Sequence, residues 1–395
     1  MAKQIQIKSL DSDGVLIKVI QDASFTGFTK SINGGLGPLV IKLARKIDTF
    51  DGDGDATIGN RIKIYVSDTD GDDLLVYSGV IEEQRPYLDG NVEYVEIVCY
   101  GDVARLNGDI LRTGQRTTFY TDTTDYLGTA SPTEVVELSN VIRKILNYFN
   151  TNNSDVDISY NVSGTDSVSD TGSVINYQFT ALTYLEAIEK CRLIAPQGWY
   201  WFVGADGLFY FSAKPSEATH DFVIGKNIKS VKVSKSLEQT RNSILVVGGT
   251  PSIYYQYEDD TSLASYGRRT HLHIDTDLQD ANTIDNYGET FLSKYKDPII
   301  RIELEIYDNN GFADGYDIES INPGDTCKIT NIDDASDLFN DNMTITQVDW
   351  TMGMAKVIIE INEFDLNKFL ISMKKSLVAE QKNESDMPSV YTQRP

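Results

Sequence analysis

The chain has 395 residues, with 35 Lys and Arg against 59 Asp and Glu, a formal charge of −24. Hydrophobic residues make up 41% and aromatics 10%, which excludes a disordered acidic tail and leaves room for about two to four domains. The charge argues against a general grip on nucleic acid or on anionic lipid, both of which recruit basic patches. Three scattered cysteines, Cys99, Cys191 and Cys327, exclude a disulfide scaffold and a paired-cysteine zinc site. No stretch has the length to span a bilayer, and Met1–Lys8 lacks the apolar run of a signal peptide, so a soluble protein made in a reducing cytoplasm is expected.

Residues 1–105 read as short strands: 5–7, 15–20, 39–43, 61–66, 76–81 and 92–98 are β-rich, several with strict alternation. Asp/Gly turns separate them. Residues 106–225 change character. Ser131-Pro-Thr-Glu134 has the form of a capping box, and the helix it starts carries Val135, Leu138, Ile142, Ile145 and Phe149 on one stripe. Thr183-Tyr-Leu-Glu186 is a second box, with a helix ending before Pro196. Trp199–Val203 and Leu208–Phe211 around Gly204-Ala-Asp-Gly207 predict a hairpin. Strands return over 226–362, interrupted by a helical excursion at 282–296. Residues 363–395 predict one amphipathic helix, with Leu366, Phe369, Leu370, Met373 and Leu377 on a face, and then a frayed tail.

The charge is concentrated. Residues 51–100 hold 3 basic against 12 acidic side chains, and 301–350 hold 2 against 12. Each block contains a strand, an acidic connector (67–73 or 331–337), a second strand, a turn and a third strand. This is a repeat of pattern rather than of identity, and it predicts two similar β units near the ends of the chain. The fold class expected is therefore mainly β with an α+β insertion: two small β-barrel domains (1–105 and 226–362) and an inserted α+β domain (106–225).

Candidate chemistry is sparse. The loops from Asp51 and Asp68 miss the Gly and Glu of a calcium-binding helix-loop-helix. His271, His273 and Asp275 fall in phase on one strand face and are the metal candidates, against a plain polar face. No nucleophile elbow or phosphate loop occurs, and no cofactor is expected. The aromatic cluster at 199–211 is read as half core and half contact surface, with Trp199, Trp201, Phe209 and Phe211 as interface candidates and a sugar-stacking platform as the alternative.

Several stretches resemble, in order, one family, the phage tail hub or baseplate hub proteins. They are Asn33-Gly-Gly-Leu-Gly37, Thr183–Ile188 leading to Gly198-Trp-Tyr-Trp201 and Asp206-Gly-Leu208, Thr240–Ile244 with Val247-Gly-Gly249, Asn322-Pro-Gly-Asp325, and Ile345-Thr-Gln-Val348. The resemblance implies two tail-tube-like barrels, a homotrimer at the distal end of a tail, adaptation of a sixfold tube to a threefold tip, and no enzyme activity. Implied partners are the tail-tube or distal-tail protein, the tape-measure protein and a spike or fibre, with DNA only in passage, and the implied location is the virion. Two readings stand beside it: a carbohydrate-binding tip using the hairpin, and a metal-dependent hydrolase using the histidines. Leu366, Phe369 and Met373 are expected at a partner contact. Asp68, Asp70, Asp72, Asp333, Asp334 and Asp337 are expected to line an acidic channel that repels phosphate, with an outward-facing solubility role as the alternative.

Overall fold

The computed structural model describes residues 3–46, 54–67, 73–111, 136–153, 158–162, 164–175, 179, 182–249, 254–276, 278, 281–308, 316–331 and 343–361. Mainly β is what the chain adopts. Along Arg61–Ser67 and Ile299–Tyr307 every second residue is buried, because β-branched side chains at period two fill one face of a pleated strand.

The first sheet has seven antiparallel strands. In order they are Leu16–Ile20, Gln4–Leu10, Arg61–Ser67, Asp73–Asp89, Val92–Gly101, Leu39–Leu43 and Ala23–Phe25. The second runs Thr326–Asn331, His220–Ile224, Ile228–Ser236, Ile299–Tyr307, Met354–Ile361 and Met343–Thr351, and the last of these pairs back onto the first. That closes a six-stranded barrel. In the first unit the pairings among the described residues leave an open order, with Leu16–Ile20 and Ala23–Phe25 at its ends.

The two stretches of matching pattern are both antiparallel meanders. Residues 61–67, 73–89 and 92–101 pair in succession, as do 326–331, 343–351 and 354–361. Residues 68–72 and 332–337 of the acidic connectors lie outside the described residues, and with them Asp68, Asp70, Asp72, Asp333, Asp334 and Asp337. The two units do not keep separate cores. One buried cluster joins Ile41, Ile62, Ile64, Tyr77 and Ile97 of the first to Ile302, Leu304, Ile345, Val357 and Ile359 of the second.

A second buried cluster forms an α+β lobe. It contains helices α1 (Leu138–Asn152), α2 (Tyr184–Ile194), α3 (Asp260–Tyr266) and α4 (Ala281–Tyr295); α1, α2 and α4 build its core with the 199–213 hairpin. The stripe expected on α1 is present, with Leu138, Ile142, Ile145 and Phe149 buried. The helix starts later than the Ser131 box implies. Residues 131–135 lie outside the described set, and Glu137 caps α1 by accepting the Asn140 amide at 3.2 Å. The Thr183–Glu186 box is complete, at 3.1 and 2.8 Å.

Packing groups two stretches differently from the boundaries drawn on sequence. His220–Ile224 pairs with Thr326–Asn331 and so belongs to the barrel. Ile244, Val246, Leu278, Ile284 and Tyr287 lie in the lobe's core, not in the barrel's. The lobe is thus assembled from two excursions, and Thr240–Ile244 opens the second one. Asn242 fixes that entry: its amide donates to Gly267 O at 2.8 Å and its Oδ1 accepts from the Arg269 amide at 2.8 Å.

Candidate functional site

The first sheet, the barrel and the lobe meet along residues 27–37. Phe28–Ser31 leaves the first unit and adds a strand to the barrel beside Met343–Thr351, with Phe28 opposite Trp350 and Ser31 opposite Gln347. The Phe28 ring stacks on Trp350 at 5.1 Å and meets Tyr77 at 5.0 Å. Thr29 donates to Asp349 at 2.9 Å, and the Ile32 amide donates to Thr346 O at 3.0 Å.

Two residues later the chain reaches the lobe. The Asn33 amide donates to Trp201 O at 2.6 Å, and Gly34–Gly35 pairs in parallel with Phe202 and Val203. Glycine is required here by space and by angle. Gly35 has φ +158°, and a Cβ on it would stand 2.7 Å from Val203 O. Gly27, at φ +152°, would place a Cβ 2.2 Å from Trp350 O. Such contacts exclude any side chain without backbone movement. Asn33, at φ +52°, takes the left-handed conformation that Asn tolerates best after glycine.

The aromatic hairpin is the wedge of this junction, and it corrects the interface reading. Trp201, Phe209 and Phe211 are fully buried in the lobe. Trp201 stacks on Phe209 at 5.5 Å and donates through Nε1 to Glu189 at 3.3 Å. Trp199 is half-buried and tilts against Phe211 at 5.0 Å. Trp201, Phe209 and Phe211 are therefore packing and offer neither a partner nor a sugar a free aromatic face, whereas Trp199 keeps part of its surface exposed. The opposite face carries Tyr200, Phe202 and Tyr210, stacked in a ladder at 6.3 and 4.7 Å. Tyr200 sits over the Asn322–Asp325 turn, where a Cβ on Gly324 would come 2.0 Å from its ring. That turn is tied by the Asn322 amide donating to Asp325 at 2.9 Å and by the Gly324 amide donating to Ile345 O at 2.8 Å.

A polar cluster closes the barrel end beside the junction. Lys3, next to the first strand, reaches Asp308 at 2.9 Å, Asp317 at 3.2 Å and Glu319. Burial, then a hydrogen bond with Asp317, pushes the Glu319 carboxyl up to about 7. Burial also lowers the Lys30 ammonium to about 8, with its Nζ 3.5 Å from Asn322 Oδ1. His220 bridges Asp325 at 2.9 Å and Tyr316, so both ring nitrogens are engaged in bracing the strand that closes the barrel. Sequence reading missed this cluster and the 28–31 strand, because neither has a local motif.

His271, His273 and Asp275 do not make a metal centre. His271 stacks on Phe291 at 4.7 Å and His273 on Tyr287 at 4.1 Å. Tyr287 hydroxyl lies 3.1 Å from His273 Nδ1, and Asp275 pairs with Lys190. Among the described residues no three His, Cys, Asp or Glu side chains converge on a point. The period of the strand puts both rings on one face, and that face stacks on α4. Asp55, in the Asp51 loop that lacks the calcium-binding pattern, is fully buried with its carboxylate held by Arg45 at 2.6 and 2.8 Å. All three cysteines are buried, and burial pushes their thiols up. Leu366, Phe369 and Met373 lie outside the described residues.

No protein-family model matches the chain, and no curated protein matches it in sequence. Solved structures do. The tail protein from Neisseria meningitidis MC58 superposes with a TM-score of 0.58 at 9% identity, covering 92% of this chain and 97% of that one. The 43 kDa tail protein of prophage MuSo2 from Shewanella oneidensis gives a TM-score of 0.56 at 12% identity, covering 91% and 98%. The chain has the fold of phage tail proteins. Coverage of nearly the whole length on both sides means that the sheet, the barrel and the lobe are all shared, not a single barrel. The resemblance noted in scattered motifs is thus carried by the tail-protein fold as a whole. No described helix is long and apolar enough to cross a membrane.

Proposed function

We propose that this chain is a structural protein of a phage tail or a related injection machine, acting as a trimeric hub at the distal end. The observation that carries this reading is the end-to-end fold shared with two tail proteins. Two features of the molecule support it. The paired meanders give each subunit two similar β units, so three subunits present six to a sixfold tube. The junction at 27–37 welds those units and the lobe into one body, which suits a part that transmits load rather than one that opens and closes.

The proposed partners are two further copies, the tail-tube or distal-tail protein, the tape-measure protein and a spike or fibre. The acidic connectors around Asp68, Asp70, Asp72, Asp333, Asp334 and Asp337 would face the lumen, where like charge keeps passing DNA from sticking. Light scattering on the purified chain with its genome-neighbour tail-tube protein tests the core of the reading. A complex with three copies of this chain is expected. A chain that stays monomeric and ignores the tube protein at high concentration contradicts it. For the lumen, Asp68→Lys with Asp333→Lys is expected to slow DNA ejection at unchanged particle yield; an unchanged ejection rate removes the channel role.

A further inference from the structure

Lys30 ends in a place that suits an ammonium poorly. It follows Phe28 on the buried side of strand Phe28–Ser31, opposite Val348 of the barrel, and is 7% exposed. Lys3, Lys190 and Lys296 each meet a carboxylate within 3.0 Å. Among the described residues Lys30 has no carboxylate at ion-pair distance, and its Nζ faces a neutral acceptor, Asn322 Oδ1, at 3.5 Å. A buried amine without an adjacent counter-ion gives up its proton readily. With its pKa lowered to about 8, a share of Lys30 is neutral at neutral pH, and a desolvated neutral lysine is a nucleophile.

The group it meets is an electrophile held in place. The Asn322 Nδ2 donates to Ser320 O at 3.2 Å, so the carbonyl end of the side-chain amide is the one turned to Lys30. The Asn322 backbone amide donates to Asp325 at 2.9 Å, and His220 braces Asp325 at 2.9 Å. On the other side, Lys30 sits on a strand paired to the barrel over Phe28–Ser31. Asn322 Cγ is one bond beyond Oδ1, so turning the last bonds of the lysine brings Nζ onto it. Groups placed in advance in this way react with the advantage of an intramolecular pair. An acid belongs to the same cluster. Glu319 is the carboxyl whose charge acts most strongly on Lys30. It is 5% exposed, is contacted by Lys3 and Asp317, and stays protonated up to about pH 7.

We propose that the Lys30 amine and the Asn322 side-chain amide join in an isopeptide bond, tying the strand that leaves the first unit to the barrel. Nζ attacks Cγ, the Nζ–Cγ bond forms and the Cγ–Nδ2 bond breaks. The freed nitrogen takes up one proton of the amine and leaves as ammonia, with Glu319 passing the proton. Asn322 is exposed, so the ammonia escapes to solvent and the step does not reverse. This does not rest on the tail-hub reading.

Mass spectrometry of the full chain, unfolded and reduced, tests it. The chain is expected to be lighter than its sequence by one ammonia. Trypsin should release residues 19–42 joined to residues 302–328 as one branched peptide, because a linked Lys30 is no longer cut. Both signs should vanish in Lys30→Met and in Asn322→Ala. A parent chain of full sequence mass that is cleaved after Lys30 overturns the proposal, and this outcome needs no variant to fold. A loss of ammonia that persists in Lys30→Met also overturns it, since it would mark a cyclised asparagine elsewhere. For the proton, Glu319→Gln is expected to lower the linked fraction several-fold, and a fraction equal to the parent's removes Glu319 from the step.

Discussion

The two β units share a meander and differ in closure. In the barrel, Thr326–Asn331 pairs along His220–Ile224 and, through Thr326 and Cys327, with Met343–Thr351, which closes the ring. The first sheet ends on Leu16–Ile20, whose only partner among the described residues is Gln4–Leu10. Val15, Leu16, Ile17 and Val19 on and beside that edge are exposed. Edge strands with apolar side chains are surfaces that pair with other chains unless covered. The comparison teaches that similar units in one chain can end differently: one sealed by its own strands, the other, among the described residues, with an exposed apolar edge.

Breaking the shared core should have the largest effect. Trp350 is buried against Phe28 and Phe25 of the first unit, so Trp350→Ala is expected to cost about 3–5 kcal/mol. Because one cluster spans both units, chemical denaturation should stay a single transition; two separated transitions would show that the units fold apart.

Arg45→Met acts on the first sheet alone. It leaves Asp55 buried without its guanidinium, at a cost of about 3 kcal/mol, and the double variant Arg45→Met with Asp55→Leu should recover most of that. Urea midpoints for the three chains check it. At the junction, Gly35→Ala must push Val203 aside and is expected to cost about 1–3 kcal/mol, with a change in near-ultraviolet dichroism from Trp201 in the next strand.

Glu319, which Lys3 beside the first sheet contacts, gives the chain a pH dependence of opposite sign to that of Asp22, which Arg45 holds below the usual carboxylate range. The Glu319 carboxyl is raised from 4.5 to about 7, so the folded chain keeps a proton that the unfolded chain releases. That contribution is fully present below pH 4.5 and is lost as pH rises through 7. The stability of the parent chain relative to Glu319→Gln should therefore fall across this window, and a flat difference in melting temperature would count against it. The smallest effect on stability is expected at the open edge: Leu16→Lys with Val19→Lys should stay within about 0.5 kcal/mol, yet weaken self-association measured by sedimentation.

Local signals carried much of this structure. The Thr183 capping box, the α1 stripe, the hairpin register about Gly204–Gly207 and the two meanders all rest on neighbours in sequence. What failed was partnership at long range. Phe28-Thr-Lys-Ser31 has no strand signature of its own; it is a strand because Met343–Thr351 offers an edge. The run Trp199–Val203 shows apolar residues on both faces, and only the lobe's assembly from two excursions decides that Trp201, Phe209 and Phe211 are core. His271 and His273 do share a face, but that face packs on α4, with the rings stacked on Phe291 and Tyr287. The Asn33–Gly37 motif was legible as a signature, while its physical cause, three bodies meeting at backbone contact distance, was not.

The central claim is the place of this chain in a tail, and imaging of assembled particles tests it most directly. Cryo-electron microscopy of tails carrying this chain should show three copies as a ring at the distal end, each with two β units against the sixfold tube. Density for the chain elsewhere on the particle, or in six copies, would contradict the account.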